Sequence, residues 1–342
     1  MKPFLLALSG LLLGASIAAA DTPQSVPPSA PNQPTEPLAK SFSWSAARSF
    51  LDTVNRNWTD NRQCLACHTN LYYMHARPLL EQADSEAHRS IREFLEDRAQ
   101  HWDTAKPRWD AEVLTTAFAL AGNDAASTGK LHAATKSALD RMWKLQTADG
   151  GFNWLKCAWP PMEHDDYYGA TIAAVATAIA PEDYAKSPAA QAGLAKLRTY
   201  FAKNPAPDLH HRTMLLWASA KLEGLLTERE KQATIAELRK VQRADGGWSL
   251  PALGTYKRRD GSANDPTAPS DGYATGLAVM VLRQAGVAAN DPGIQRGAAW
   301  LKANQRESGR WFTRSLNNDK AHLIANAGSS LAVMALKAVE GK

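Results

Sequence analysis

Beyond residue 40 the apolar positions recur at helical spacing for most of the chain. The pattern predicts helices over 44–57, 80–98, 109–121, 128–145, 187–202, 210–223, 227–242 and 292–304. Turn signals separate them at Gly122-Asn123-Asp124, Asn204-Pro205-Ala206-Pro207 and Asn290-Asp291-Pro292. Three further segments are rich in alanine and small aliphatics: DYYGATIAAVATAI (166–179), DGYATGLAVMVLRQ (271–284) and IANAGSSLAVMALK (324–337). Alternating β-branched runs are nearly absent, so the expected class is all-α. Tryptophans such as Trp143, Trp217 and Trp300 sit at helical spacing and are expected in the core.

The helices are arranged in repeats. MWKLQTADGGFNW (142–154), LRKVQRADGGWSL (238–250) and LKANQRESGRWFT (301–313) each end a helix on a glutamine, then turn through glycine to an aromatic residue. The glutamines are Gln146, Gln242 and Gln305; the aromatics are Phe152, Trp248 and Trp311. Glycine suits the helix C-cap and the turn after it, the glutamine is placed to bond the next helix's backbone, and a small-residue helix follows each turn. Aligned on their apolar cores, the first two such helices put Asp166 on Asp271 and Tyr168 on Tyr273; the third has Ala325 and Ala327 there. Helical hairpins with small-residue inner helices at this spacing close into an α/α toroid, with the long loops gathered at one rim.

The start of the chain reads differently. MKPFLLALSGLLLGASIAAA joins an early Lys2 to an apolar run and an A-x-A site, a signal peptide over 1–20 cut after Ala20. The run is too short to span a membrane comfortably, so the mature protein is expected in the periplasm or secreted, without an integral membrane span. Residues 21–40 are rich in Pro and Ser and read as a disordered linker. About 300 residues remain, with 44% hydrophobic and 21% charged residues over the full chain, the composition of a soluble globular protein. We divide them into a helical segment over 41–104 and a toroid over 105–342, and expect the first to help close the second, because 41–104 alone is too short to enclose a large cofactor. The net charge of +5 is spread out, with no basic run longer than Lys257-Arg258-Arg259. This argues against a nucleic-acid partner and leaves room for docking to an acidic redox protein.

The densest chemistry lies in NRQCLACHTNLYYMHARP (61–78). With 3 Cys and 9 His in 342 residues, Cys64, Cys67 and His68 form the string C-x-x-C-H. A zinc site would need a second ligand pair, which the chain lacks. In an exported protein the two cysteines could instead form a disulfide. The string is the attachment signature of a c-type haem: each thiol adds to one haem vinyl group, and the next residue supplies the proximal imidazole. The stretch resembles the c-type cytochromes, which implies one covalent haem c, with Cys64 and Cys67 attached and His68 on iron. His88 and His101 are distal candidates by spacing, although each also reads as a solvated residue on a polar helix. Arg77 is a candidate for pairing with a haem propionate.

The Gln–Gly–aromatic turns resemble the QW repeats of the squalene/oxidosqualene cyclase and protein prenyltransferase superfamily over about 105–340. That resemblance implies an (α/α)6-like barrel whose cavity holds isoprenoid substrates. The chain departs from both family chemistries. Its nearest match to the cyclases' Asp-x-Asp-Asp acid is Glu163-His164-Asp165-Asp166, and no Asp-x-Cys pattern surrounds Cys157.

The loop FNWLKCAWPPMEHDDYY (152–168) is the second chemical concentration. On a toroid it lies at the rim and brings Tyr168 to the cavity mouth, with Asp271, Tyr273 and His211 beside it; such a cavity is a ligand site for a hydrophobic small molecule. Glu163, Asp166, Tyr168, Asp271 and Tyr273 are the catalytic candidates, and Met162 and His164 are the distal iron ligands within reach of the rim. In the plainer reading, Asp166 and Asp271 cap helices and Cys157 is a buried thiol. Three functions follow. The first is a periplasmic monohaem cytochrome on a toroid platform, moving electrons and acting on a hydrophobic ligand. The second is a peroxidase- or oxygenase-like haem enzyme. The third is a non-redox isoprenoid cyclase or binding module with a Cys64–Cys67 disulfide.

Overall fold

The structure is a computed structural model and describes residues 31–65, 68–82, 85–318 and 323–341. Residues 1–20, expected from sequence to be a signal peptide, and Cys67 lie outside the described residues. Twelve α-helices are described: α1 (Trp44–Arg62), α2 (Asn70–Ala76), α3 (Glu86–His101), α4 (Asp110–Ser127), α5 (Ala133–Lys144), α6 (Asp166–Ile179), α7 (Pro188–Lys203), α8 (Leu209–Ser219), α9 (Glu228–Lys240), α10 (Gly272–Gln284), α11 (Pro292–Ala303) and α12 (Ile324–Val339). Among the described residues the only β pairing is four isolated bridges.

The even-numbered helices form a closed inner ring, in which α2 packs on α4, α4 on α6, α6 on α8, α8 on α10, α10 on α12 and α12 back on α2. The odd-numbered helices lie outside. The fold is therefore all-α, an α/α toroid of six hairpins. Inner helices are enclosed on both sides, so α4, α6, α10 and α12 bury nearly every residue and need small side chains. Outer helices bury one face; α9 buries only Thr234, Ile235 and Leu238. At Gly276 a Cβ would lie 2.6 Å from the Ala332 backbone nitrogen, so α10 and α12 meet almost backbone to backbone. Trp143, Trp217 and Trp300 are buried as expected.

The three glutamine turns share one geometry. Gln146 Nε2 donates to the carbonyls of Gly150 and Gly193, Gln242 Nε2 to those of Gly246 and Gly293, and Gln305 Nε2 to those of Gly309 and Ser43. Each side chain thus ties its own turn to the next outer helix in the ring: α7, α11 and α1. The third tie joins the end of the ring to its beginning, and Ser43 N–H donates back to Gln305 Oε1 at 2.7 Å. Trp248 and Trp311 each donate their indole N–H to the carbonyl ten residues upstream, Leu238 and Leu301. Asp166 and Asp271 accept from the backbone N–H of Trp154 and Leu250, each two residues past its turn's aromatic.

Three sequence expectations need correction. Gly122-Asn123-Asp124 does not break α4. Asn123 Nδ2 donates to the Met74 carbonyl, and the Asp124 carboxylate accepts from His132 N–H and pairs with Arg92, so tertiary partners hold these helix-poor residues in the helix. Residues 70–76 form an inner helix that the periodicity did not predict. The disorder expected of 21–40 does not reach 31–40, which form a strap along the third turn. There Ala39 N–H donates to the Gln305 carbonyl, Glu307 N–H to the Pro37 carbonyl, and the Glu36 carboxylate pairs with Arg310.

Candidate functional site

The cysteine motif lies between α1 and α2 and is held from three directions. Trp58 Nε1 on α1 donates to the Cys64 carbonyl at 2.9 Å, and Ala327 N–H on α12 donates to the His68 carbonyl at 3.0 Å. From the loop before α6, Glu163 Oε1 lies 3.2 Å from His68 Nδ1. That loop is closed by paired backbone bonds between Trp159 and Glu163, and the Trp159 ring meets the His68 ring edge-on at 6.3 Å.

Beside the motif is a cavity of about 320 Å³ that opens to solvent, with Cys64, His68, Cys157 and Glu163 on its wall. The rest of the lining is mostly apolar: Trp58, Leu65, Trp109, Leu155, Trp159 and Leu323. Trp109, 44% exposed, stands at the mouth. Burial pushes the Cys64 thiol up, against the opposing pull of Arg108. Cys157 is exposed, not buried as expected, because its loop runs over the surface; partial burial and then Glu163 raise its thiol pKa.

This donor set fits a covalently held haem. The motif supplies the two attachment thiols by sequence, with Cys64 on the wall of an aromatic cavity. His68 is 7% exposed, and Glu163 at Nδ1 orients the ring so that Nε2 would be the nitrogen offered to an iron, as a carboxylate behind a ligating imidazole does.

The other residues singled out from sequence lie elsewhere. Met162 is fully buried outside the cavity, where its carbonyl accepts from Trp154 Nε1. His164 is exposed and meets the Tyr256 ring edge-on. His88, expected to be solvated, is buried with Nε2 2.6 Å from Asn123 Nδ2; His101 is exposed and bonds the Asp97 carbonyl. None of the four lines the cavity. Arg77 is fully buried and bonds Asp52 at 2.8 Å and the Gln82 carbonyl at 2.6 Å. It faces away from solvent as a helix anchor, so the propionate role expected of it does not hold.

The ring centre is filled by side chains. Tyr168 and Tyr273, expected at a cavity mouth, are fully buried and lie with their rings nearly parallel to that of His210, centroids 5.9 and 5.8 Å away. Tyr72 inserts from α2, with its hydroxyl 2.9 Å from that of Tyr168. Asp271 caps α10 through Ala274 N–H, and burial pushes its carboxyl up to about 7. It also borders a second cavity of about 540 Å³ beneath Asn32 and Pro34 of the strap. Asp166 is the first residue of α6, and the cap is Asp165, which accepts from Tyr168 N–H.

Sequence reasoning placed His211 at the rim but did not assemble the cluster around it. Asp208 caps α8, and its Oδ1 lies 2.7 Å from His211 Nδ1, while His211 Nε2 lies 3.2 Å from Asp165. Burial pulls His211 down, but the bonds to Asp165 and Asp208 outweigh it and push the imidazole up to about 9. Adjacent His210 is pulled down to about 3 by burial and by His211. The adjacent histidines were the available signal; the carboxylates come from separate capping positions.

Residues 213–320 match the model of the squalene-hopene cyclase C-terminal domain. The match spans α8 to the loop before α12 and includes two of the three glutamine turns. Among solved structures, a polysaccharide lyase superposes with a TM-score of 0.52 at 11% identity, covering 87% of this chain and 98% of that one. At that identity the likeness is one of fold, and it extends the toroid over most of the chain. No curated protein sequence matches the chain.

Proposed function

We propose that this chain is an exported monohaem c-type protein that transfers electrons, with the squalene-cyclase-like toroid as its rigid frame. Haem would be bonded to Cys64 and Cys67 with His68 as proximal ligand. The observation that carries the reading is that Cys64 and His68 share one tryptophan-walled cavity, with Glu163 behind the imidazole. The haem, when bound, supplies one-electron chemistry; the chain binds it, limits water through Trp58 and Trp159, and sets the donor strength of His68 through Glu163. The filled ring centre argues against an isoprenoid substrate there and moves the chemistry to the rim. The contact between Glu163 and His68 also favours a second reading, a peroxidase-like enzyme, because a carboxylate at Nδ1 makes the imidazole a stronger donor and stabilises oxidised iron.

The full chain, co-expressed with a cytochrome c maturation system, is expected to gain the mass of one porphyrin and to keep haem stain on denaturing gels. Cys64→Ala with Cys67→Ala is expected to lose both signals; a matured wild-type chain without porphyrin mass would end the reading. Carbon monoxide separates the two functions: a reduced spectrum that ignores it supports electron transfer, and one that shifts supports catalysis. In either case Glu163→Gln is expected to raise the midpoint potential by roughly 59 mV, a tenfold change for one electron, as the weaker acceptor at Nδ1 lowers the imidazole's donor strength.

A further inference from the structure

The cluster around the start of α8 is independent of the haem reading. We propose that Asp208, His210 and His211 bind one divalent transition-metal cation of the zinc class. One ligand atom from each of the three lies within 4.8 Å of the others. Both histidines are fully buried, and Asp208 has 15% of its side chain exposed.

The second observation is the state of His210. Its Nε2 lies 3.0 Å from the Tyr273 hydroxyl, while its Nδ1 is buried with no hydrogen-bond partner. A buried polar nitrogen left this way costs about 1–3 kcal/mol. The neighbouring hydroxyls provide a tautomer in which Nδ1 is the ligand. Tyr273 hydrogen-bonds Tyr72, and Tyr72 meets Tyr168 at 2.9 Å. When Tyr273 donates to Tyr72, its oxygen accepts from His210 Nε2–H and Nδ1 keeps its lone pair, the tautomer that the cation would take. His211 is arranged alike: Asp165 holds Nε2, and Nδ1 faces Asp208. Both imidazoles thus have an acceptor on the far nitrogen, the second-shell pattern that orients metal-bound histidines.

The site must open slightly to take the ion. His211 Nδ1 and Asp208 Oδ1 are 2.7 Å apart and share a proton. Zinc bonds of about 2.0–2.2 Å at a tetrahedral angle separate two ligand atoms by about 3.3 Å, so the pair must part by roughly 0.6 Å as the cation replaces that proton. Two imidazoles and one carboxylate leave a fourth position for water.

The test uses the full matured chain, stripped with chelator and titrated with Zn²⁺ and with Co²⁺. One equivalent should bind, and Zn²⁺ should raise the thermal midpoint. Because a cysteine thiol can also take zinc, Co²⁺ reports the ligands: a nitrogen–oxygen set gives d–d bands without thiolate charge transfer. Asp208→Asn keeps a good helix cap, and His210→Gln keeps a donor for Tyr273. Each is expected to weaken binding at least 100-fold while far-UV circular dichroism is unchanged. No uptake, a cobalt spectrum dominated by thiolate bands, or wild-type affinity in both variants would overturn the proposal.

Discussion

Replacing Asp52 by alanine is expected to destabilise the folded chain by about 3 kcal/mol, the low end of the cost of stranding a buried charge. Arg77 has no exposed surface, and Asp52 is the carboxylate bonded to its Nε, at 2.8 Å. The same Asp52 oxygen accepts from the Tyr73 hydroxyl at 2.7 Å, and burial, followed by that carboxylate, raises the phenol pKa. The substitution leaves a buried guanidinium and a buried hydroxyl without their shared acceptor. The carbonyls of Glu81 and Gln82 still hold Arg77, which keeps the cost at the low end. Urea unfolding of the full chain measures it as a lower midpoint at unchanged slope; a loss under 1 kcal/mol would show that the cluster does not anchor α2. Since α2 follows His68 directly, the variant should also loosen the haem cavity.

The second large effect is expected at Gly309. Its φ is +90°, and a Cβ there would lie 2.1 Å from the Ala46 carbonyl oxygen on α1. Gly309→Ala therefore adds a backbone clash to left-handed strain of about 1–3 kcal/mol, and the total should exceed 3 kcal/mol. The clash falls on the contact through which Gln305 ties the last turn to α1, so the ring should open there first. Gly129→Ala is the control: φ is +66°, nothing lies within 4 Å of the new Cβ, and the cost should be about 1 kcal/mol. Equal losses in the two variants would mean that the close approach at α1 contributes nothing beyond backbone strain.

How much of this was legible in the chain varies by element. The glutamine turns were, because each is a local signal in which glycine, amide and aromatic have a fixed spacing. The pairing of Asp166 with Asp271 holds, since both accept the backbone N–H two residues past the turn's aromatic; the cap at α6 moved one residue, to Asp165, because capping depends on where the first helical turn begins. The helix α2 was missed because seven residues, mostly aromatic or polar, carry too short a period to read and are helical only when walled in by α4 and α12.

Sequence alone determined the helical class, the small-residue inner segments, the three repeated turns and the C-x-x-C-H string, since each depends on neighbours within a few turns of helix. Only the tertiary structure decided which residues face one another across the ring: Glu163 with His68, Asp52 with Arg77, Asp165 with His211, and the tyrosines that fill the centre. Those partners lie tens of residues apart or more, and no local spacing encodes which side chains meet when six hairpins close into a ring.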